Sequence, residues 1–328
     1  MVINPMEPKN IRNYKIDNAK GLFIILVLLA HTPPLLTINN IPIELKMLIH
    51  CTIMPAFFFY SGMLSKNPIK RADKAIKNLL IPYILFSTLS VLFCQMRHGL
   101  DWNIQTFNLF LPKGFMWYLG ALFWMVLLLP HIIKFRYPIL IASIVSFVAS
   151  LFLQDAYEYC ALGIAFSMFP IFLLGYYVPV DFYQKYSKVL FFAGGIIGII
   201  GIIALTMNGN IYFRFRPHFY HQYINEEFIK FLCFGFTVLI ALTVVCVLPN
   251  KVTFLTTIGK NSILVYVFHE YIYSFIGHLF DIDNDYLNLL IAITVSILVS
   301  YFLSQHFFVT LYYRITTPIN NLLLKWKQ

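Results

Sequence analysis

An all-α, polytopic membrane protein of about ten transmembrane helices is predicted by three observations on this sequence. Hydrophobic residues make up 59% of its 328 positions and charged residues only 12%, too few polar side chains to cover a surface that faces water. Ten stretches are apolar over the roughly 17 to 25 residues that a bilayer crossing needs. The basic residues gather on alternate connections between those stretches, the pattern of the positive-inside rule.

The stretches are 21–37, 47–64, 79–96, 115–133, 137–153, 160–178, 189–207, 228–248, 262–280 and 286–308, the last continuing into an aromatic run up to Tyr313. The polar residues before the first stretch lead into it without a small-residue cleavage site, so it is expected to be a retained span and not a removed signal. Residues 1–20 are then a cytoplasmic N-terminal segment, 21–313 a single membrane domain and 314–328 a cytoplasmic tail. No Pro/Gly/Ser linker, low-complexity tract or internal repeat divides the chain. With the first span running from inside to outside, 18 of the 24 lysines and arginines lie inside, leaving Lys46, Arg97, Lys113, Arg214, Arg216 and Lys230 outside. That places both termini in the cytoplasm and makes the number of spans even. The net charge of +10 is thereby accounted for by membrane lipids, and nucleic acid is excluded as a partner.

Polar residues within the apolar stretches carry the functional information, because an ionisable side chain in hydrocarbon costs several kcal/mol unless it faces a polar cavity. In the first stretch His31 is expected deep inside the helix, eleven residues after Lys20. Eleven residues are close to three turns and about 16 Å of rise, so the two share a face with Ile24 and Val27 between them. Asp17 is in position to cap this helix. On the second stretch His50, Met54, Phe57 and Ser61 share a face. The connection 65–78 is the densest basic cluster, and Arg71, Lys74 and Lys77 recur every three residues, a stripe on a short helix. Such a stripe suits either anionic lipid or the phosphates of a cytosolic donor.

Trp117 and Tyr118 open the fourth stretch, where they could line an acceptor pocket. The seventh carries Gly194, Gly195, Gly198 and Gly201 at helical spacing, a surface for close helix packing. The aromatic connection 208–227, with Arg214, Arg216, His218 and His221, reads equally as a sugar-binding loop or an interfacial belt. On the ninth stretch Ser262, Tyr266 and His269 lie at i, i+4 and i+7, on one face, and Glu270 is the one acidic residue well inside a predicted span. These form either a second polar site or a seam between helices. The five cysteines have neither metal-ligand nor disulfide spacing and read as core residues, so no metal is expected.

The stretch RNYKIDNAKGLFIILVLLAH, Arg12 to His31, resembles the opening of the acyltransferase family 3 membrane proteins, in particular the branch of fucose 4-O-acetylase. Arg12, Ile16-Asp17, Lys20 and His31 occupy the places of that family's Arg, Ile-Asp pair, basic residue and histidine. MPAFFFYSGML from Met54, KNLLIPY from Lys77, FMWYLGALF from Phe115 and IGKNSILVYVFH from Ile258 resemble later signatures of the family, in the same order. Where the family has a histidine before the Met-Pro pair this chain has Ile53, and His50 lies one turn back.

The resemblance implies a ten-helix enzyme of the bacterial inner membrane that takes an acyl group, usually acetyl, from coenzyme A and places it on a hydroxyl of a cell-envelope saccharide. It implies His31 as the catalytic residue. An alcohol attacks a thioester poorly until a base takes its proton, and imidazole is the usual base near neutral pH. The expected roles are therefore His31 as general base, with Lys20, Arg71, Lys74 and Lys77 binding acyl-CoA. His50, Ser61, Trp117, Tyr266, His269 and Glu270 form the acceptor or supporting polar site. The partners are a saccharide or lipid-linked saccharide and membrane lipids, and the sequence is compatible with a homodimer. The alternative is a proton-coupled transporter or flippase of a lipid-linked sugar, in which the buried His and Glu residues form a proton relay. A structural or receptor module without catalysis is the third reading.

Overall fold

The computed structural model describes residues 13–32, 43–98, 110–112, 115–152, 159–207, 224–276 and 284–324. These are all helix and connections, with no strand among the described residues. The helices are α1 (Tyr14–Ala30), α2 (Ile43–Met63), α3 (Pro68–Asp73), α4 (Ile81–His98), α5 (Trp117–Ile132), α6 (Pro138–Phe152), α7 (Leu162–Tyr177) and α8 (Phe182–Lys185). They continue with α9 (Lys188–Met207), α10 (Ile224–Val247), α11 (Phe254–Lys260), α12 (Ser262–Ile276), α13 (Asp285–Leu303) and α14 (His306–Leu323). A π-helical turn, Ile76–Leu80, leads into α4.

Where they are described, the ten apolar stretches fold as helices close to their expected limits, apart from the first and the last, which divides between α13, ending at Leu303, and α14, starting at His306. Five helical segments are long and apolar enough to cross a membrane: Ile76–Phe93, Tyr159–Tyr177, Lys188–Met207, Phe228–Val247 and Tyr286–Leu303. Helices α1, α2 and α12 are outside that set, and they carry Lys20, His50, His269 and Glu270 among their apolar residues. The aromatic connection 208–223 and its Arg214, Arg216, His218 and His221 lie outside the described residues.

The first helix departs from expectation at both ends. It starts at Tyr14, capped by the Asn13 side chain, which accepts from the Lys15 N–H, so Asp17 sits in the first turn and is not the cap. It stops at Ala30 because Pro33 and Pro34 follow. Proline has no N–H to extend the ladder and drives the residue before it out of helical backbone. His31 is therefore the C-cap of α1, not a residue half-way along it.

Polar groups fasten the start of α1 to the connection between α10 and α11. Lys15 Nζ donates to the carbonyls of Val245 and Cys246 at 3.2 and 2.8 Å, and to that of Leu248. The Asn18 amide is satisfied on both sides. It donates to the Pro249 and Lys251 carbonyls at 2.9 and 3.1 Å and accepts from the Thr253 and Thr256 hydroxyls. The backbones of α1 and α11 then come so close that a Cβ on Gly259 would overlap the Asp17 carbonyl, and one on Gly21 the Leu255 carbonyl. Each buried polar group left without a partner costs about 1–3 kcal/mol. Asn18→Leu strands the buried Thr256 hydroxyl and the part-buried Thr253 hydroxyl, while the carbonyls of Pro249 and Lys251 lie on exposed residues that water can meet, so it is expected to destabilise the protein by about 1–3 kcal/mol. A thermal unfolding midpoint in detergent that matches wild type would disprove this.

The glycine stripe of α9 packs as its spacing suggests. A Cβ at Gly195, Gly198 or Gly201 would meet Thr243, the Phe236 carbonyl or the Phe236 ring of α10 at 2.7, 2.7 and 2.5 Å. Lys230, which the charge count assigns to an outside connection, is wholly buried instead. Its ammonium donates to Ser146 Oγ on α6 and Ser167 Oγ on α7 at 3.0 and 3.3 Å. A charge among apolar helices is costly, and these hydroxyls replace part of its lost hydration.

Candidate active site

Two histidines from opposite ends of the chain meet at the end of α1. His31 Nδ1 lies 2.8 Å from the Val27 carbonyl oxygen. A carbonyl only accepts, so in the neutral ring Nδ1 carries the proton and donates it, leaving the Nε2 lone pair as acceptor and base. His269 on α12 repeats the arrangement, with Nδ1 2.6 Å from the Tyr266 carbonyl. Its Nε2 is buried and has no hydrogen-bond partner among the described residues. The two imidazole centroids are 5.2 Å apart. His31 is half-buried and His269 fully buried.

Phe115 holds the pair together. Its ring lies 3.9 Å from that of His31 and 5.0 Å from that of His269. Its carbonyl accepts from the Tyr266 hydroxyl, and its backbone hydrogen-bonds the Glu270 carboxyl group. Glu270 thus joins the cluster at the Phe115 backbone. His50, bonded through Nδ1 to the Lys46 carbonyl at 2.8 Å, is near enough to His31 for their charges to interact. Trp117 packs on Phe58 and Tyr118, with ring centroids 6.4 and 6.5 Å away. Among the described residues no group of three or more His, Cys, Asp or Glu side chains could hold a metal ion.

Below the imidazoles lies an inner pocket of about 150 Å³. Lys20 and Ile24 of α1, Met54, Phe57 and Ser61 of α2, Tyr118 and Leu122 of α5, and Ser262 and Tyr266 of α12 line it. The Ser61 and Tyr118 hydroxyls are 3.1 Å apart. Tyr266 is the boundary: it lines this pocket, and its hydroxyl reaches the residue whose ring touches His31. Neither His31, His50, His269, Glu270 nor Trp117 lines the pocket itself.

A larger cleft of about 500 Å³ adjoins it. Leu64, Arg71 and Ile263 line both spaces, so the two meet across these side chains. Arg71 comes from α3, Lys74 caps that helix, and Lys77 stands on the π turn, yet all three reach the cleft. Lys70 and Lys260 join them there, and the three-residue spacing pointed to neither. Burial lowers the Arg71 guanidinium from its ordinary value, against the opposing influence of the nearby Tyr118 phenol. Arginine starts so high that it stays charged.

Sequence reasoning therefore singled out residues that the structure brings together, His31 with His269 and Arg71 with Lys74 and Lys77, with Lys20, Ser61 and Tyr266 between the two groups. It missed Phe115, whose side chain is unremarkable in a sequence 18% aromatic.

A family model described as an acyltransferase domain matches residues 13–305. No curated protein and no solved structure matches the chain.

Proposed function

The chain belongs to acyltransferase family 3, a family of membrane acyltransferases, and from that premise we propose that it moves an acetyl group from cytosolic acetyl-CoA to a hydroxyl of a cell-envelope saccharide, with His31 as general base. In this reading the basic end of the bundle faces the cytosol of a bacterial cell and the protein resides in the inner membrane. One observation carries it: a cation-rich cleft shares Arg71 with a pocket whose roof, Tyr266, is hydrogen-bonded to the residue lying on His31.

The donor's phosphates suit Arg71, Lys74 and Lys77, since charge-assisted contacts to phosphate are the strong ones and guanidinium matches its geometry. The pantetheine arm then enters between Leu64 and Ile263 and passes Lys20, Ser61 and Tyr118. His31 Nε2 takes the proton of the acceptor hydroxyl as its oxygen attacks the thioester carbonyl. The tetrahedral intermediate collapses with loss of the CoA sulfur, which regains a proton from the imidazolium. Such base assistance contributes typically 10²–10⁴ in rate. Tyr266 and Phe115 stand between donor pocket and imidazole, so the acetyl end has to pass them, and Glu270 and His269 hold that partition in register.

The test supplies acetyl-CoA labelled in the acetyl group to membranes containing the inserted protein together with envelope saccharides. Label is expected in saccharide, released by mild alkali as O-acetyl esters are. If an inserted wild-type protein leaves all label on CoA whichever saccharide is offered, the acetyl-transfer reading is wrong.

A further inference from the structure

We infer that the face of α14 lining the outer cleft is the seat of the donor's adenine base, with Asn320 accepting from its N6 amino group and Tyr313 stacking on its ring. This rests on acyl-CoA as the donor. Helix α14 starts at His306, just past the residues matched by the family model, so the family match does not account for it.

The cleft has two unlike walls. One is cationic and suits phosphate. The other is the α14 face of Tyr312, Tyr313, Thr316, Thr317 and Asn320, aromatic and neutral, which phosphate alone does not need. Asn320 is only 3% exposed, and its Oδ1 has no hydrogen-bond partner among the described residues. Buried carbonyl oxygens are nearly always bonded, and leaving one bare costs free energy, so a ligand donor is what this wall lacks. Carboxamides are the usual partners of adenine's N6 edge.

The aromatic residues divide the work. Tyr312 is fixed, lying parallel to Phe86 with centroids 5.8 Å apart. Tyr313, at 83° to it, is 58% exposed and has a ring face to offer. Aromatic side chains stack on bases at roughly 1–3 kcal/mol each. The cleft's 500 Å³ is also in the range of ordinary ligand sites. An anionic lipid would satisfy the cations, but it brings no flat ring to Tyr313.

The experiment is equilibrium binding to the purified full-length protein in phosphatidylcholine nanodiscs, with CoA, 1,N6-etheno-CoA and ADP as probes. The etheno bridge removes the N6 donor, while ADP carries base and phosphates without the pantetheine arm. Wild type is expected to bind CoA about tenfold more tightly than etheno-CoA. Asn320→Ala should weaken CoA and ADP about tenfold and abolish the preference over etheno-CoA, the scale of one lost base contact. Tyr313→Ala, at an exposed position that leaves packing intact, should weaken all three probes. If CoA binds saturably but both variants hold CoA and ADP like wild type, or wild type does not distinguish etheno-CoA, the base sits elsewhere and only this inference falls. Absence of saturable CoA binding by folded wild type would remove the donor assignment along with it.

Discussion

His31→Ala is expected to lower kcat for acetyl transfer by 10²–10⁴, which is roughly 3 to 5 kcal/mol of transition-state stabilisation, while KM for acetyl-CoA stays within about twofold. The split follows from geometry. His31 lines neither the inner pocket nor the cationic cleft, so removing it leaves the donor's binding surfaces intact. What is lost is the Nε2 lone pair of a half-buried imidazole whose proton the Val27 carbonyl holds at Nδ1. His269 cannot stand in, because its Nε2 is sealed in the interior. Steady-state release of CoA thiol in the presence of acceptor measures both constants. An unchanged kcat would mean that proton removal happens elsewhere. A raised KM with unchanged kcat would make His31 a binding residue and bring the transporter-like reading of a buried histidine back into play.

Neutralising Arg71, Lys74 and Lys77 together should do the opposite, raising KM for acetyl-CoA about a hundredfold and leaving saturated turnover within a few-fold. Contacts to charged groups are worth about 1.5–3 kcal/mol each. Lys74 and Lys77 are exposed and screened by salt, which holds the total to roughly two powers of ten. Arg71 should dominate, since it is the half-buried member and lines both cavities. The wild-type KM should climb steeply with ionic strength and that of the triple variant, which keeps Lys70 and Lys260 in the cleft, less so. If the variant keeps the wild-type KM, the stripe serves lipid.

Much of this molecule can be read from local pattern. Apolar length located the long helices, and an ionisable residue in hydrocarbon singled out His31, His269 and Glu270. What local pattern does not carry is who meets whom. His31 and His269 are neighbours only because α1 and α12 pack side by side, a relation no spacing encodes. Asn18 looked like one more polar residue before a span, since its four partners lie more than 230 positions away. Lys230 was assigned to an outside connection because a charge count cannot see Ser146 and Ser167 waiting for it. The neutral wall of the cleft escaped notice for the reverse reason: most of α14 lies past residue 308, where the last apolar stretch ends and hydropathy has little to say.

The grip of Lys15 and Asn18 on residues 245–256 also dictates when this protein can come alive. Helix α1 has its polar anchors supplied by a segment made some 231 residues after it, so it finds its berth late. Until translation has passed that point α1 lacks these anchors, and His269, made later still, is not yet beside the imidazole at its tip.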